Sequence, residues 1–281
     1  MNELALFAGA GGGILGGHLL GWRTVCAVEW EAYPASVLVA RQNDKILPPF
    51  PIWDDVQTFD GKPWRGIVDV VSGGFPCQDI SAAGGGAGIE GERSGMWREM
   101  ARIIGEVRPK YAFVENSPML TTRGLGTVLR DLAEMGYDAE WGVLGAADVG
   151  ANHQRDRIWI VAKQRDILSY TKYDRVGWGK QQSESTQETN GINTNTRCQH
   201  GKSRHTKNMV ANQTKWTACT ISIKPIFARL NENNWKTEPN LVRMVNGVAD
   251  GVDRLKAIGN GQVPLCAATA WTILMERINE S

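Results

Sequence analysis

Residues 67–81, IVDVVSGGFPCQDIS, decide how this chain is read. The run Ile67-Val68-Asp69-Val70-Val71 is short, apolar and β-branched, which predicts a buried strand. Gly73 and Gly74 follow it, and then Pro76-Cys77, so the strand opens into a loop that carries a thiol. In an open α/β sheet, ligands bind beyond the carboxyl ends of the strands. A cysteine at this point is therefore placed for chemistry.

The same rhythm recurs on both sides. Leu4–Phe7 is a short strand, followed by the glycine turn Gly9 to Gly13 and a helix to about Leu20. Thr24–Val28 is a second strand that ends in Glu29, and a helix runs from about Tyr33 to Gln42. Pro48-Pro49-Phe50-Pro51 is a rigid connection that cannot be helical. Beyond the cysteine loop, Met96–Glu106 reads as a helix stopped near Arg108-Pro109, and Tyr111–Val114 as a strand ending at Glu115. A helix over 124–135 ends at Gly136, and Arg157–Ala162 is the last clear strand. Repeated strand-helix units predict an α/β chain with an open, largely parallel sheet.

The texture changes after about Ser169. Residues 177–215 are rich in Gln, Thr, Asn, Ser and Lys, the composition of an extended surface segment. Hydrophobicity returns in part over Ile221–Leu230, and a final ordered stretch begins near Leu241. Its helix, Leu265–Asn279, carries Ala267, Ala270, Trp271, Leu274 and Ile278 for packing on the sheet. The organisation expected is a domain over 1–164, a small polar insertion over 165–240, and a C-terminal segment, 241–281, that returns to the first domain.

The chain has 281 residues and a formal charge of +1, so global basicity does not announce nucleic acid. The charge is uneven, however: residues 171–215 hold eight Lys or Arg against three acids, a local surface able to attract phosphates or simply to be solvated. Five cysteines, at 26, 77, 198, 219 and 266, include no CxxC pair, and no metal-ligand cluster is visible. The start has Glu3 ahead of an apolar run rather than a basic leader, and no stretch reaches ~18 apolar residues. A soluble protein of a reducing compartment, with no membrane partner, is expected.

Candidate site residues follow from these strand ends. Phe7, Gly9, Gly11 and Gly12 form a turn where a ligand can approach the backbone closely. Glu29, 20 residues after Gly9, can accept from both hydroxyls of a ribose. Trp30 can pack on an adenine face, and Asp55 can accept from its amine. The plainer alternative is that Glu29 and Asp55 are helix-start or turn acids. The glycine spacing is not GxGxxG, so an adenosyl cofactor without a pyrophosphate fits better than NAD. Pro76 stiffens the backbone at Cys77, and a helix starting after the thiol would lower its pKa; the plainer reading of Cys77 is a buried small hydrophobe. The glycine-rich stretch 82–91 is able to close over a substrate. Glu115, if it faces the cysteine, can engage a ring nitrogen of a pyrimidine, a role that asks for a raised pKa of the kind partial burial supplies. Arg155 and Arg157, alternate positions at the start of a strand, can place one guanidinium on the base carbonyl; the plainer reading is a pair of surface cations flanking Asp156.

In this order the motifs resemble the DNA (cytosine-5) methyltransferases of bacteria and phages. LFAGAGG at 6–12 is similar to that family's cofactor motif, GGFPCQDIS at 73–81 to its nucleophile loop, and ENSP at 115–118 to its Glu-Asn-Val element. HQRDRIWIV at 153–161 resembles its Gln-x-Arg-x-Arg element, and GNGQVP at 259–264 its late motif. The resemblance spans about 3–163 and 241–281, with Ser117 where valine is usual and His153 where glutamine is usual.

The resemblance implies a Rossmann-like sheet that binds S-adenosylmethionine, with a small target-recognition insertion. It implies a Cys77 nucleophile, a Glu115 acid and an Arg157 contact to the base. It implies cofactor contacts from Glu29, Trp30, Asp55 and Val56, with Asn260 and Val263 in the late motif that returns to the pocket. Ser81, Arg93 and Ser94 become expected DNA contacts, to a duplex whose target cytosine is flipped out. A monomer in a bacterial or phage-infected cytoplasm, beside a cognate restriction endonuclease, completes that picture. Cytosine-5 methylation of transfer RNA by the same fold is the nearest alternative, a catalytically silent DNA-binding relative the next, and an NAD-linked dehydrogenase a distant third.

Overall fold

A computed structural model describes residues 1–76, 95–165 and 251–280, the side chains of residues 251, 252 and 255 excepted. The cysteine loop from Cys77 to Ser94, with Ser81 and Arg93, lies outside the described residues, as does the insertion expected over 165–240 beyond its first residue.

Among the described residues, seven strands form one sheet. In chain order they are β1 (Asn2–Leu6), β2 (Arg23–Val28), β3 (Ile52–Trp53), β4 (Val70–Gly74), β5 (Tyr111–Asn116), β6 (Tyr137–Leu144) and β7 (Arg157–Gln164). The helices are α1 (Gly12–Leu19), α2 (Ala32–Asn43), α3 (Met96–Val107), α4 (Leu120–Arg123), α5 (Leu125–Glu134), α6 (Gly251–Asn260) and α7 (Pro264–Glu280). Pro34 falls in the first turn of α2, where no amide is required, and Pro264 opens α7 for the same reason. Arg108 closes α3 in a left-handed conformation just before Pro109, the stop that the sequence marks.

The sheet order is β3-β2-β1-β4-β5-β7-β6. The chain winds outward from β1 to β3, then returns to place β4 on the other side of β1. The order reverses between β1 and β4, and a crevice opens there at the carboxyl ends of the strands. The β1–β2, β1–β4, β2–β3 and β4–β5 pairs are parallel, but β7 runs antiparallel to both β5 and β6. The link from β6 to β7 spans residues 145–156 and contains only a short 3-10 turn, with no helix to cross the sheet, so the pair forms antiparallel.

Two readings of the sequence shift. The strand expected over 67–71 is instead Val70–Gly74 and runs on through both glycines, while Ile67 lies half exposed in the approach to it. Pairing with β1 sets this register: Glu3 faces Val70 and Leu6 faces Gly73. β6 was not expected, although Tyr137, Ala139, Trp141 and Val143 alternate along it and pack on the core.

Apolar side chains cover both faces of the sheet. Trp97, Met100, Ile104, Val128 and Leu132 from α3 and α5 pack on one face. On the other face, Trp271 of α7 meets Trp22 edge-on at 4.6 Å and Phe113 at 5.4 Å. Among the described residues, no helix is long and apolar enough to cross a membrane.

An ionisable group, Glu3, is sealed within this core. Glu3 on β1 is fully buried and accepts from Thr24 Oγ1 at 2.7 Å and Ser72 Oγ at 2.6 Å. Burial raises its pKa from 4.5 to about 7, against the smaller opposing effect of the two hydroxyls. Between those values the folded chain holds a proton that the unfolded chain releases. Stability from this group is therefore complete below pH 4.5 and lost as pH rises towards about 7, by about 3 kcal/mol. Urea unfolding across pH 4 to 8 should show Glu3→Gln gaining on the wild type by that amount as pH rises. A constant difference between the two proteins contradicts it.

Candidate active site

The crevice at the strand-order reversal holds a cavity of about 460 Å³. That volume suits one nucleoside-sized ligand. Phe7, directly after β1 and in a left-handed backbone conformation (φ 52°), lines it. A bulky residue held at positive φ beside a cavity is a mark of a functional turn.

One wall is built around Glu29, directly after β2. Its Oε2 accepts from Gly9 N–H at 2.7 Å and its Oε1 from Glu31 N–H at 2.8 Å. Each oxygen keeps a lone pair for another donor. Burial pushes the Glu29 carboxyl up, while the two amides pull it down. Trp30, 73% exposed, stands at the rim. Asp55 and Val56 line the far side; Asp55 Oδ1 accepts from Gln57 N–H at 2.9 Å and leaves its second oxygen available. Arg102 of α3 fixes this turn by donating to the carbonyls of Val56 at 2.8 Å and Phe59 at 3.0 Å. Lys256 of α6 reaches Glu31 at 2.7 Å.

The opposite wall carries Glu115, near the end of β5, with only 9% of its surface exposed. Arg157 Nε sits 2.9 Å from Glu115 Oε1. The direction of β7 makes this possible, because an antiparallel strand begins at the edge where β4 and β5 end. Burial pushes the Glu115 carboxyl up; Arg157, Arg155 and the Gln262 amide draw it back.

The expectation that Arg155 and Arg157 both start the last strand is corrected for Arg155. Arg155 precedes β7, and its Nη2 donates to the carbonyls of Gly259 at 2.5 Å and Gly261 at 2.6 Å. It clasps the C-terminal segment, and Arg157 alone makes the ion pair.

Pro76 lines the cavity, and Cys77 follows it just outside the described residues. Asn116 Nδ2 donates to the Phe75 carbonyl at 3.0 Å and so fixes the backbone leading to that thiol. Asn260 also lines the cavity. Gly11, Gly12 and Val263 do not: Gly12 lies against the Gln262 backbone, Gly11 against the Leu38 side chain, and Val263 packs on the apolar layer beneath α7. The structure adds Asn116 and Gln262 to the site. Both stand inside quoted motifs, and their partners, being distant in sequence, gave no local signal. Among the described residues, no group of three His, Cys, Asp or Glu side chains is placed to hold a metal ion.

Two other cysteines, Cys26 and Cys266, are buried. Burial pushes the Cys26 thiol up to about 11 and the Cys266 thiol up to about 12. Iodoacetamide at pH 8 should leave both unmodified in the folded protein and label them once it is denatured, as read by peptide mass mapping. Rapid labelling of either in the native state contradicts their placement.

The sequence profile of a family described as C-5 cytosine-specific DNA methylase matches residues 1–271. Among individual relatives, the type II methyltransferase M.CviJI of Paramecium bursaria Chlorella virus IL3A is 34% identical over 132 residues, 44% of this chain and 36% of its own length. M.PspPI of Psychrobacter sp. (strain TA137) is 34% identical over 176 residues, covering 60% of this chain and 41% of the relative. M.Eco47II of Escherichia coli is 35% identical over 180 residues, covering 61% and 41%. The chain thus spans about two fifths of the length of these relatives. With the match to the family profile running over nearly all of its length, this chain belongs to the C-5 cytosine-specific DNA methylases.

Proposed function

We propose that this protein transfers a methyl group from S-adenosylmethionine to carbon 5 of cytosine in duplex DNA, through a transient bond between Cys77 and a base flipped out of the helix. One observation carries the reading: a single cavity is lined both by Glu29, set to receive ribose hydroxyls, and by Glu115 with its Arg157 partner.

The residues present fit the cofactor. Glu29 keeps one lone pair on each oxygen, Asp55 one unengaged oxygen for an exocyclic amine, and Trp30 an accessible ring face. Phe7, Gly9, Pro76 and Asn260 complete the walls, and Gly11, Gly12 and Val263 serve by packing the segments that carry them. When bound, the cofactor supplies an electrophilic methyl group on a sulfonium.

The chain's own groups prepare the base. The Cys77 thiolate adds to ring carbon 6 and relieves the ring of its aromatic resistance. Glu115, its carboxyl raised by burial, holds a proton at ring nitrogen 3 and turns the adduct's electrons towards carbon 5. Arg157 donates to the base carbonyl and offsets the charge that develops there. After methylation a base or water removes the proton at carbon 5, and the sulfur departs with its electron pair.

The remaining roles belong to the same proposal. Residues 165–240 supply target recognition and 241–281 return the chain to the catalytic domain of 1–164. Ser81, Arg93 and Ser94 contact the DNA. The type II designation of the relatives supports a place in restriction-modification beside a cognate endonuclease. The protein acts as a monomer in the cytoplasm of a bacterium or phage-infected host.

Bisulfite sequencing of DNA from cells expressing the protein should reveal one short methylated motif. Cys77→Ala should abolish that signal while calorimetry still detects S-adenosylmethionine binding. Unmethylated DNA alongside methylated transfer RNA overturns the choice of substrate, and full turnover by Cys77→Ala overturns the nucleophile. Glu29→Ala should weaken cofactor binding about tenfold or more, the scale of lost hydrogen bonds to a charged group.

A further inference from the structure

Gln262 stands in the short link between α6 and α7, and three glycines make room for it. A methyl group at Gly12 would overlap its main-chain carbonyl, and one at Gly13 would overlap its side-chain Oε1. A methyl at Gly74 would overlap Glu115 Oε2 and lie 3.1 Å from Gln262 Nε2. Glycines from the start of α1 and the end of β4 therefore clear the space in which one amide meets one carboxylate, with Nε2 donating to Oε2 at 3.5 Å. Arg155 holds this link from below through the carbonyls of Gly259 and Gly261.

The two oxygens of Glu115 are treated differently. Oε1 takes the charged Arg157 at 2.9 Å, and among the described residues Oε2 takes the neutral amide of Gln262. Among the described residues, the charged groups acting on Glu115 are Arg157 and Arg155, with Gln262 the remaining donor. A second cation in place of the amide would hold the carboxylate ionised. An apolar residue would leave Oε2 buried with no donor, which is costly for a charge. The amide orients the carboxylate with little penalty for protonation. Its orientation follows from chemistry, since only the NH₂ end can face a carboxylate acceptor.

We propose that Gln262 is a positioning residue for Glu115: from the C-terminal segment, its amide fixes the orientation of that carboxyl. The inference rests on the reading of Glu115 as the acid that engages the cytosine ring. It also gives the C-terminal segment a part in the chemistry beyond lining the cofactor cavity.

The test uses Gln262→Leu, which removes the donor, and Gln262→Glu, which adds a like charge. The Glu115 carboxyl is titrated in the full chain by infrared difference against the matching Glu115→Gln protein. Its midpoint should rise in Gln262→Leu and rise further in Gln262→Glu. The limb of the methyl-transfer pH profile that belongs to Glu115 should move the same way. In Gln262→Leu, kcat should fall about tenfold, the scale of one such hydrogen bond, while cofactor affinity changes less than about twofold. Gln262→Met is the substitute if the leucine variant does not fold. A midpoint unmoved in the variants, or a loss confined to cofactor affinity, overturns the proposal. A wild type that methylates no DNA refutes the functional reading, while the infrared titration still decides whether Gln262 governs Glu115.

Discussion

The site depends on the direction of one strand. β7 runs against its neighbours, so its first residue arrives at the edge where β1, β4 and β5 finish. A parallel β7 would carry Arg157 to the opposite edge and leave Glu115 buried without its cation. Burying a carboxylate is expensive unless a partner is fixed beside it. The crossover-free link between β6 and β7 is thus a condition for the ion pair, as well as an incidental feature of the topology.

Around that pair, the division of labour follows local geometry. Arg155 and Arg157 are two residues apart and chemically identical, yet one clasps backbone and the other meets a carboxylate. The difference is that β7 begins at Arg157: extended pairing points this side chain along the sheet edge, while Arg155 is still in the approach, facing Gly259 and Gly261. Asn116 and Glu115 divide their work in the same way, one holding the Phe75 carbonyl and the other pairing with Arg157.

Much of this was legible in the sequence, for physical reasons. The α/β alternation, the glycine turn after β1 and the acids at strand ends are local features that a short window contains. Glu29 followed from its distance to the glycines, and Glu115 from its place at the end of an apolar run. What escaped reading was set by partners far along the chain. The start of β4 was misplaced because Ile67 and Val68 are as apolar as a strand, and only pairing with β1 decides the register. Glu3 looked like a polar flank, but two hydroxyls from β2 and β4 allow it inside. Gln262 is an ordinary residue until Gly12, Gly13 and Gly74 are brought to it.

The grip of Arg155 on Gly259 and Gly261 has a consequence for how the chain is closed. It joins residues more than a hundred positions apart, and Lys163 to Asn279 ties the same two regions at 3.0 Å. The chain that leaves the sheet at Arg165 is thereby brought home by contacts that do not involve the residues in between. Lengthening a closed excursion costs only slowly more entropy. The two ends of residues 166–250 are thus held together by bonds between described residues, Arg155 to Gly259 and Gly261 and Lys163 to Asn279, at an entropic cost that depends only weakly on the length of chain that joins them.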